Sequence, residues 1–240
     1  MSPRARAVVV DEPALEAAQR MAAAVRRGGH LVLSGGSTPR AAYEHLARME
    51  LDWSPVTLWW GDERCVPADD DRSNYRMTKA ALLDRLVGGG PAVRRIEGER
   101  APREAADDYR VRLREAFGDG IPRFDFVLMG LGPDAHTASL FPRQHALDER
   151  DRTVLAVEEP GLAPWVARVS LTVPVFRAAR QMLFLVAGAD KADAVGRAFA
   201  GEPRRDAPAS LVIPEDGLLT LVLDPAAAAG LPGSVAVTEA

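Results

Sequence analysis

The sequence predicts an α/β protein with a mostly parallel sheet flanked by helices on both faces, a Rossmann-like three-layer arrangement. Short apolar segments with strand character alternate along the chain with amphipathic segments of helical periodicity. This alternation is typical of parallel strands connected by crossover helices, which cover both faces of the sheet. α/β proteins of about 240 residues often form one unit, so we expect residues 1–240 to form a single domain.

The composition indicates an ordinary globular protein: it is 47% hydrophobic and 27% charged, with a net charge of -4. The chain contains no sustained basic stretch, so we expect no nucleic-acid partner. It also lacks signal-peptide features near its start and any apolar run of membrane-spanning length, so we expect no membrane partner and a cytoplasmic location. The single cysteine, Cys65, excludes an internal disulfide and is consistent with a reducing compartment.

In the first half of the chain, apolar spacing and turn residues define the elements. Leu15, Ala18 and Met21 recur at helical spacing, Gly28 ends that helix, and Ser73 is a predicted N-cap. The predicted order is a strand at 7–10, a helix at 13–26, a strand at 31–33, a helix at 40–48, a strand at 56–60 and a helix after residue 73.

The second half continues the alternation. Tyr109, Leu113 and Phe117 lie on one face of an amphipathic helix that leads to a strand of aromatic and aliphatic residues. The predicted order is a short strand at 95–97, that helix, strands at 124–129, 153–157, 168–173 and 181–187, a helix at 190–199, a strand at 218–223 and a turn or helix at 225–229.

The segment Ser34-Gly-Gly-Ser-Thr-Pro39 lies between a predicted strand and a predicted helix. We expect Thr38 to cap the helix and Pro39 to be its first residue. The N–H groups of such a turn can approach a phosphate closely, and the helix dipole adds a favourable field. No Lys-Ser/Thr pair follows, which argues against Walker-type nucleotide hydrolysis. The segment is either an anion site or a tight turn without a ligand.

Gly61-Asp-Glu-Arg64 also follows a predicted strand. Arg64 can form charge-assisted bonds to a phosphate, each worth about 1.5–3 kcal/mol, or can be held by the two preceding carboxylates in a surface ion-pair cluster. We interpret Cys65 as a small packed residue rather than a nucleophile. The three aspartates at 69–71 are interpreted as solvated charge before a helix N-terminus rather than as a metal site.

Gly130-Leu-Gly-Pro-Asp-Ala135 follows the strand at 124–129 and matches the G-x-G-x-x-A pattern of dinucleotide sites. Pro133 lies inside the turn, however, and no acidic residue ends a strand about 20 positions later, as such sites require. In open α/β sheets, ligands bind beyond the carboxyl ends of the strands. The sequence therefore favours a different ligand site in this loop.

Asp134 and His136 are the carboxylate and imidazole best placed for chemistry, because both follow this strand end. His136 is either a general base, since imidazole accepts a proton near neutral pH, or a structural loop residue. Asp134 can orient the ring, contact a substrate or form an Asx turn. Lys191 begins a predicted helix and is either directed to the same sheet edge or simply exposed. The other histidines are expected at the surface: His30, His45 and His145.

Five segments together resemble the 6-phosphogluconolactonase family: SGGSTP at 34–39, WGDERCVP at 60–67, FDFVLMGLGPDAHTASLFP at 124–142, RVSLTVP at 168–174 and GADK at 188–191. They occur in family order and span most of the chain. The resemblance implies the fold of sugar-phosphate isomerases and deaminases and hydrolysis of 6-phospho-D-glucono-1,5-lactone. It also implies no metal and no organic cofactor. The expected partner is this small phosphosugar lactone, and we expect a monomer or a weak homodimer.

The resemblance also assigns roles to residues. It implies that His136 is the general base, with Asp134 as its close companion. It further implies that a second group binds the phosphate and orients the sugar acid: Gly35, Gly36, Ser37, Thr38, Arg64, Arg168 and Lys191.

Three positions depart from the family pattern: Ala135 stands in place of glycine, Ser170 of threonine and Arg177 of asparagine. If the family glycine has a positive φ, alanine there costs about 1 kcal/mol. Related glucosamine-6-phosphate deaminases share the loop histidine but continue toward Asn-Glu-Pro, whereas this chain reads HTASLFP at 136–142, which favours the lactonase. A non-catalytic sugar-phosphate sensor is a third hypothesis. Such a protein normally carries a DNA-binding domain, for which we expect no spare segment.

Overall fold

The computed structural model describes residues 5–231 and 236–239. Within these residues the chain forms, in order, β1 (Ala5–Val9), α1 (Pro13–Arg27), β2 (Gly29–Leu33), α2 (Ser37–Leu46), β3 (Val56–Trp60), β4 (Asp62–Arg64), α3 (Asn74–Ala81), β5 (Ala92–Arg94), α4 (Pro102–Phe117), β6 (Phe126–Met129), β7 (Val154–Val157), β8 (Arg168–Leu171), α5 (Val173–Arg177), β9 (Gln181–Val186), α6 (Ala192–Phe199), β10 (Leu218–Leu223), α7 (Pro225–Ala228) and β11 (Ala236–Glu239).

The main sheet has eight strands in the order β11-β1-β10-β9-β6-β2-β3-β5, and every pairing in it is parallel. From β2 the chain moves to β3 and β5 on one side, and from β6 it moves to β9 and β10 on the other. Right-handed crossovers in opposite directions place their helices on opposite faces. Accordingly α1 packs on α2 and α2 on α3, whereas α6 packs on α7. The predicted fold class is confirmed.

A second, three-stranded sheet lies beside the main one, in the order β4-β8-β7. Both of its pairings are antiparallel, and Arg64 in β4 lies directly opposite Arg168 in β8. No strand was predicted at residues 62–64, so β4 is an additional element. A three-residue strand carries too little alternation to be recognised from local sequence. The predicted strand at 168–173 ends at residue 171, because Val173 begins a short helix.

Several predicted boundaries are wrong, although the elements are present. Helix α2 begins at Ser37 with Gly36 as its N-cap, so Thr38 is not the cap and Pro39 is not the first helical residue. The short strand lies at Ala92–Arg94 rather than at 95–97, and its exposed side chains lack an apolar face that would have located it. Ser73 is the N-cap of α3, as predicted, and its hydroxyl accepts a hydrogen bond from the Arg76 N–H.

Two buried tyrosines hold strand ends that lead into the site. The Tyr43 hydroxyl donates to the Ser34 carbonyl at 2.8 Å and accepts from the Ser34 N–H at 2.9 Å. The Tyr109 hydroxyl makes the same pair of bonds with Trp60, at 3.0 and 2.9 Å. Burial raises the pKa of both phenols, so each remains a neutral donor and acceptor. The carboxyl ends of β2 and β3 are therefore held in place where the loops that carry Gly35 and Arg64 begin.

His30 corrects one expectation about the histidines. Its Nδ1 accepts a hydrogen bond from the Trp59 indole at 3.0 Å, and its ring packs 4.5 Å from that of Phe117. Burial lowers the pKa of His30, which favours the neutral ring that this bond requires. His30 is thus a core-edge residue, whereas His145 is fully exposed, as expected. Among the described residues no helix combines the length and hydrophobicity needed to cross a bilayer.

Candidate active site

A cavity of about 250 Å³ opens where the carboxyl ends of four adjacent strands meet: β9, β6, β2 and β3. The chain leaves β2 toward one side of the sheet and β6 toward the other, so the loops after these strands diverge. This crevice is the topological switch point at which open α/β sheets bind ligands. Local sequence located the loops, and the strand order brings them to one place.

The cavity is lined by all the predicted site residues except Asp134, which lies behind the histidine: Gly35, Gly36, Ser37, Thr38, Arg64, His136, Arg168 and Lys191. Gly35 and Lys191 are 156 positions apart in the sequence, so folding brings distant segments together at this cavity.

The glycine turn forms one wall of the cavity. A Cβ at Gly35 would lie 1.9 Å from Oδ1 of Asn74, so only glycine fits between the turn and this buried amide. Helix α2 starts two residues later, and the N–H groups of Ser37 and Thr38 belong to its first turn, where a helix offers them no internal partner. The turn thus has the geometry of an anion site.

Arg64 and Arg168 enter from the small sheet. Arg64 donates through Nη1 to the Arg72 carbonyl at 2.6 Å, and Arg168 donates through Nη2 to the Leu162 carbonyl at 2.9 Å. The Nε–H groups of both arginines are buried without a partner among the described residues. Burial lowers the pKa of Arg168, and the nearby Asp62 charge opposes this. Both arginines line the cavity, and guanidinium donors without a protein partner at such a cavity favour an anionic ligand.

The alternative for Arg64, an ion pair with its neighbours, is not what the folded chain adopts. Glu63 instead accepts hydrogen bonds from the N–H groups of Arg64, Asn74 and Tyr75, each at 2.7 Å. It also accepts from the Ser73 hydroxyl at 3.0 Å. Burial raises the pKa of Glu63 to about 7, and these backbone hydrogen bonds act against the rise. Glu63 therefore joins β4 to the start of α3 and leaves Arg64 available.

Lys191 completes the cationic side of the cavity. It ends a 3₁₀ turn after β9, and α6 starts just after it, so the predicted helix at 190–199 begins slightly later. Its ammonium lies 3.5 Å from Asp190 Oδ2, and its side chain is 21% exposed. Because the lysine lines the cavity, it is not merely an exposed helix residue.

His136 and Asp134 form a hydrogen-bonded pair. Nδ1 of His136 lies 2.5 Å from Oδ1 of Asp134, and the same carboxylate oxygen accepts from the His136 N–H at 3.1 Å. Burial raises the pKa of Asp134, but these hydrogen bonds and the imidazole charge outweigh burial, and the net shift is downward. An ionised Asp134 accepts a hydrogen bond from Nδ1–H of His136, which leaves Nε2 as the ring nitrogen that can take a proton.

Packing fixes this ring tightly. A Cβ at Gly132 would lie 2.0 Å from His136 Nδ1, so a side chain there would displace the imidazole. On its other side the ring packs 4.9 Å from the buried ring of Phe141, and the Arg168 guanidinium lies 5.2 Å from that same ring. Phe141 thus sets the spacing between the imidazole and the guanidinium.

The histidine loop contains three residues other than glycine with positive φ: Ala135 at 65°, Ala138 at 48° and Arg143 at 62°. The expectation of a strained alanine in place of the family glycine therefore holds for the backbone, at a cost of about 1 kcal/mol. Backbone hydrogen bonds to a distant segment hold this loop: the Ala209 N–H donates to the Ala135 carbonyl at 3.0 Å, and the Arg143 N–H donates to the Arg205 carbonyl at 2.9 Å. Such clusters of strained backbone occur preferentially at functional sites.

Sequence reasoning missed a buried hydrogen-bond chain at the cavity wall. The Ser139 hydroxyl donates to Asp62 Oδ2 at 2.6 Å, and the Asn74 amide donates to Asp62 Oδ1 at 3.2 Å. Asp62 and Asn74 line the cavity, and all three side chains are buried. The position of Asp62 just past a strand end was the available signal. Nothing in the local sequence distinguishes Asn74 from an ordinary first helical residue.

The other candidates lie outside this arrangement. Burial raises the pKa of Cys65 to about 11, so its thiol is protonated at neutral pH, which argues against a nucleophile. Asp70 and Asp71 pair with Arg72 and Arg76. Within residues 5–231, the side chains described, no group of three or more His, Cys, Asp or Glu could hold a metal ion.

The two other residues that depart from the family pattern are Arg177 and Ser170. Arg177 pairs with Glu215 at 2.6 Å and lines a different surface cavity. Ser170 is buried in β8 directly opposite Asp62.

The fold and the cavity define a class: a three-layer α/β protein with a cationic, histidine-containing cavity at its switch point. Residues 4–221 match the family described as glucosamine-6-phosphate isomerases/6-phosphogluconolactonase. The chain belongs to this family, which confirms the family predicted from the motifs.

Individual proteins agree with this family. The chain is 40% identical over 204 residues to the 6-phosphogluconolactonase of Homo sapiens, covering 82% of this chain and 79% of that protein. It is 39% identical over 206 residues to that of Synechocystis sp., covering 84% of each. The solved 6-phosphogluconolactonase from Trypanosoma cruzi superposes with a TM-score of 0.82 at 28% identity, covering 96% of this chain and 98% of that chain.

Proposed function

We propose that this chain hydrolyses 6-phospho-D-glucono-1,5-lactone to 6-phospho-D-gluconate, with His136 as general base. The observation that carries the proposal is that one cavity contains both an imidazole oriented by a carboxylate and a set of anion-binding donors. The names of the relatives support the same substrate.

The phosphate of the substrate binds at the glycine turn. The first-turn N–H groups of α2 point toward it, and Arg64 and Lys191 supply positive charge on the cavity wall. This anchoring positions C1 of the lactone beside His136, so that binding energy from the remote phosphate orients the reacting carbon.

Neutral His136 accepts a proton at Nε2 from a water molecule, and the resulting hydroxide attacks C1. The tetrahedral oxyanion is stabilised by Arg168, whose Nε–H has no other partner among the described residues. When the intermediate collapses, the bond from C1 to the ring oxygen breaks and the imidazolium returns its proton to that oxygen. Asp134 holds the ring in one tautomer and stabilises the imidazolium.

The rate accelerations expected from these groups are sufficient to hydrolyse a reactive ester. General base catalysis contributes roughly 10²–10⁴-fold, and one oxyanion donor contributes roughly 10²–10³-fold. The two side chains together therefore supply a large acceleration over the spontaneous reaction of the lactone.

A coupled assay tests the proposal. Freshly prepared 6-phosphogluconolactone is added to the protein together with 6-phosphogluconate dehydrogenase, and the rate of product formation is compared with that of spontaneous hydrolysis. We expect a rate proportional to protein concentration. Absence of this rate, together with ammonia release from glucosamine 6-phosphate, would instead assign the chain to the deaminase branch of the family.

Arg64→Ala is expected to raise KM by roughly 10- to 100-fold with a smaller effect on kcat. A charge-assisted hydrogen bond is worth about 1.5–3 kcal/mol, and a phosphate contact persists unchanged between the ground state and the transition state. Steady-state kinetics of the purified variant provide the measurement. Arg103→Ala is the matched control, since that side chain is 81% exposed and pairs with Glu158. An unchanged KM would place the phosphate elsewhere.

A further inference from the structure

Asp62 is an acidic residue in the cavity that the reaction outlined above does not use. Among the described residues that line the cavity, it is the sole carboxylate. Its side chain belongs to β4, and the residue is only 5% exposed. A carboxylate that is shielded from water requires hydrogen-bond donors. At a ligand site, an acceptor position that the protein leaves open is available to the ligand.

Two buried donors hold the Asp62 carboxylate in place but do not fill all of its hydrogen-bond acceptor positions. Ser139 donates to Oδ2 at 2.6 Å and Asn74 donates to Oδ1 at 3.2 Å. Asn74 also donates through Nδ2 to the Asp62 backbone carbonyl at 3.0 Å. This fixes the orientation of the Asn74 amide, because the flipped amide would direct its Oδ1 at two acceptors. Each carboxylate oxygen accepts about two hydrogen bonds, so one acceptor position on each oxygen has no donor among the residues that the structure describes.

The other charged groups at this cavity have the opposite hydrogen-bonding character. Arg64, Arg168 and Lys191 only donate, and they suit the phosphate and the developing oxyanion. The hydroxyl groups of a sugar lactone ring must also donate when they leave water, and they need an acceptor. The charged side chain that lines the cavity and can accept is Asp62.

We propose that Asp62 accepts a hydrogen bond from a ring hydroxyl of the substrate and thereby selects polyhydroxylated lactones over their deoxy analogues. This inference rests on the proposed lactonase function and adds a residue that determines specificity. Ser139 and Asn74 act through Asp62 as positioning residues, since they hold the carboxylate in place from the histidine loop and from α3.

The test compares wild type and Asp62→Ala on four substrates: 6-phosphogluconolactone and its 2-deoxy, 3-deoxy and 4-deoxy analogues. We expect wild type to prefer the parent lactone over one analogue by about 10- to 100-fold in kcat/KM, the range of a hydrogen bond to a charged group. Asp62→Ala should reduce that ratio to near one. Asp62→Asn keeps the shape and one acceptor oxygen, so its ratio should fall between the two, and it replaces the alanine variant if the latter does not fold.

Asp119→Ala is the control, because Asp119 is 90% exposed beyond the end of α4 and should leave every ratio unchanged. Two results would overturn the inference: wild type that does not discriminate among the four lactones, or Asp62 variants that lose the same factor on all of them. The second result would make Asp62 a purely structural support. Wild type that hydrolyses none of the lactones would refute the proposed function itself, and the inference with it.

Discussion

His136→Ala is expected to lower kcat by about 10²–10⁴-fold, with little change in KM. The variant loses the group that removes a proton from water, whereas the phosphate-binding side of the cavity stays intact. Steady-state kinetics with fresh lactone, corrected for spontaneous hydrolysis, provide the measurement. Because the imidazole is 15% exposed and packs on Phe141, the thermal unfolding of the variant should be recorded alongside.

His145→Ala is the matched control for that experiment, since the His145 side chain is fully exposed and lies outside the cavity. It should retain wild-type kcat and KM. If His136→Ala turned over lactone at a rate near wild type while remaining folded, the water-activating role would have to be given to another group, and the mechanism above would be wrong.

Glu63→Ala is expected to lower the free energy of unfolding by about 3–5 kcal/mol. It leaves three backbone N–H groups, of Arg64, Asn74 and Tyr75, without their acceptor, and each unpaired buried donor costs about 1–3 kcal/mol. Urea unfolding of wild type and variant provides the measurement. Glu115→Ala, at an exposed position of α4, is the control and should change stability by less than about 0.5 kcal/mol.

The effect of this substitution should depend on pH. The pKa of Glu63 is 4.5 in an ordinary environment and about 7 in the folded chain, so the folded state binds the extra proton. The stabilisation from Glu63 is then greatest below about pH 4.5 and decreases as the pH rises through 7. The difference between wild type and Glu63→Ala should therefore be larger at about pH 5 than at about pH 8. A difference that grows with pH would contradict the raised pKa.

Much of the fold was predictable because its signals are local. Apolar runs marked β3, β6 and β10 within two residues of their ends, and Ser73 marked the start of α3. The strands that were missed or misplaced, β4, β5 and β11, are only three or four residues long and lie in the second sheet or at the edges of the main sheet. Pairing with other strands, rather than local pattern, makes these segments extended.

The sequence by itself determined the order of strands and helices, the glycine turn before α2 and the loop that carries Asp134 and His136, because each depends on neighbouring residues. Only the tertiary structure decided that Arg64 lies opposite Arg168 and that Ser139 reaches Asp62 across 77 positions. These contacts follow from the order of strands in the sheets, and that order is set by the burial of the whole core. The spacing of residues along the chain does not reveal that strand order.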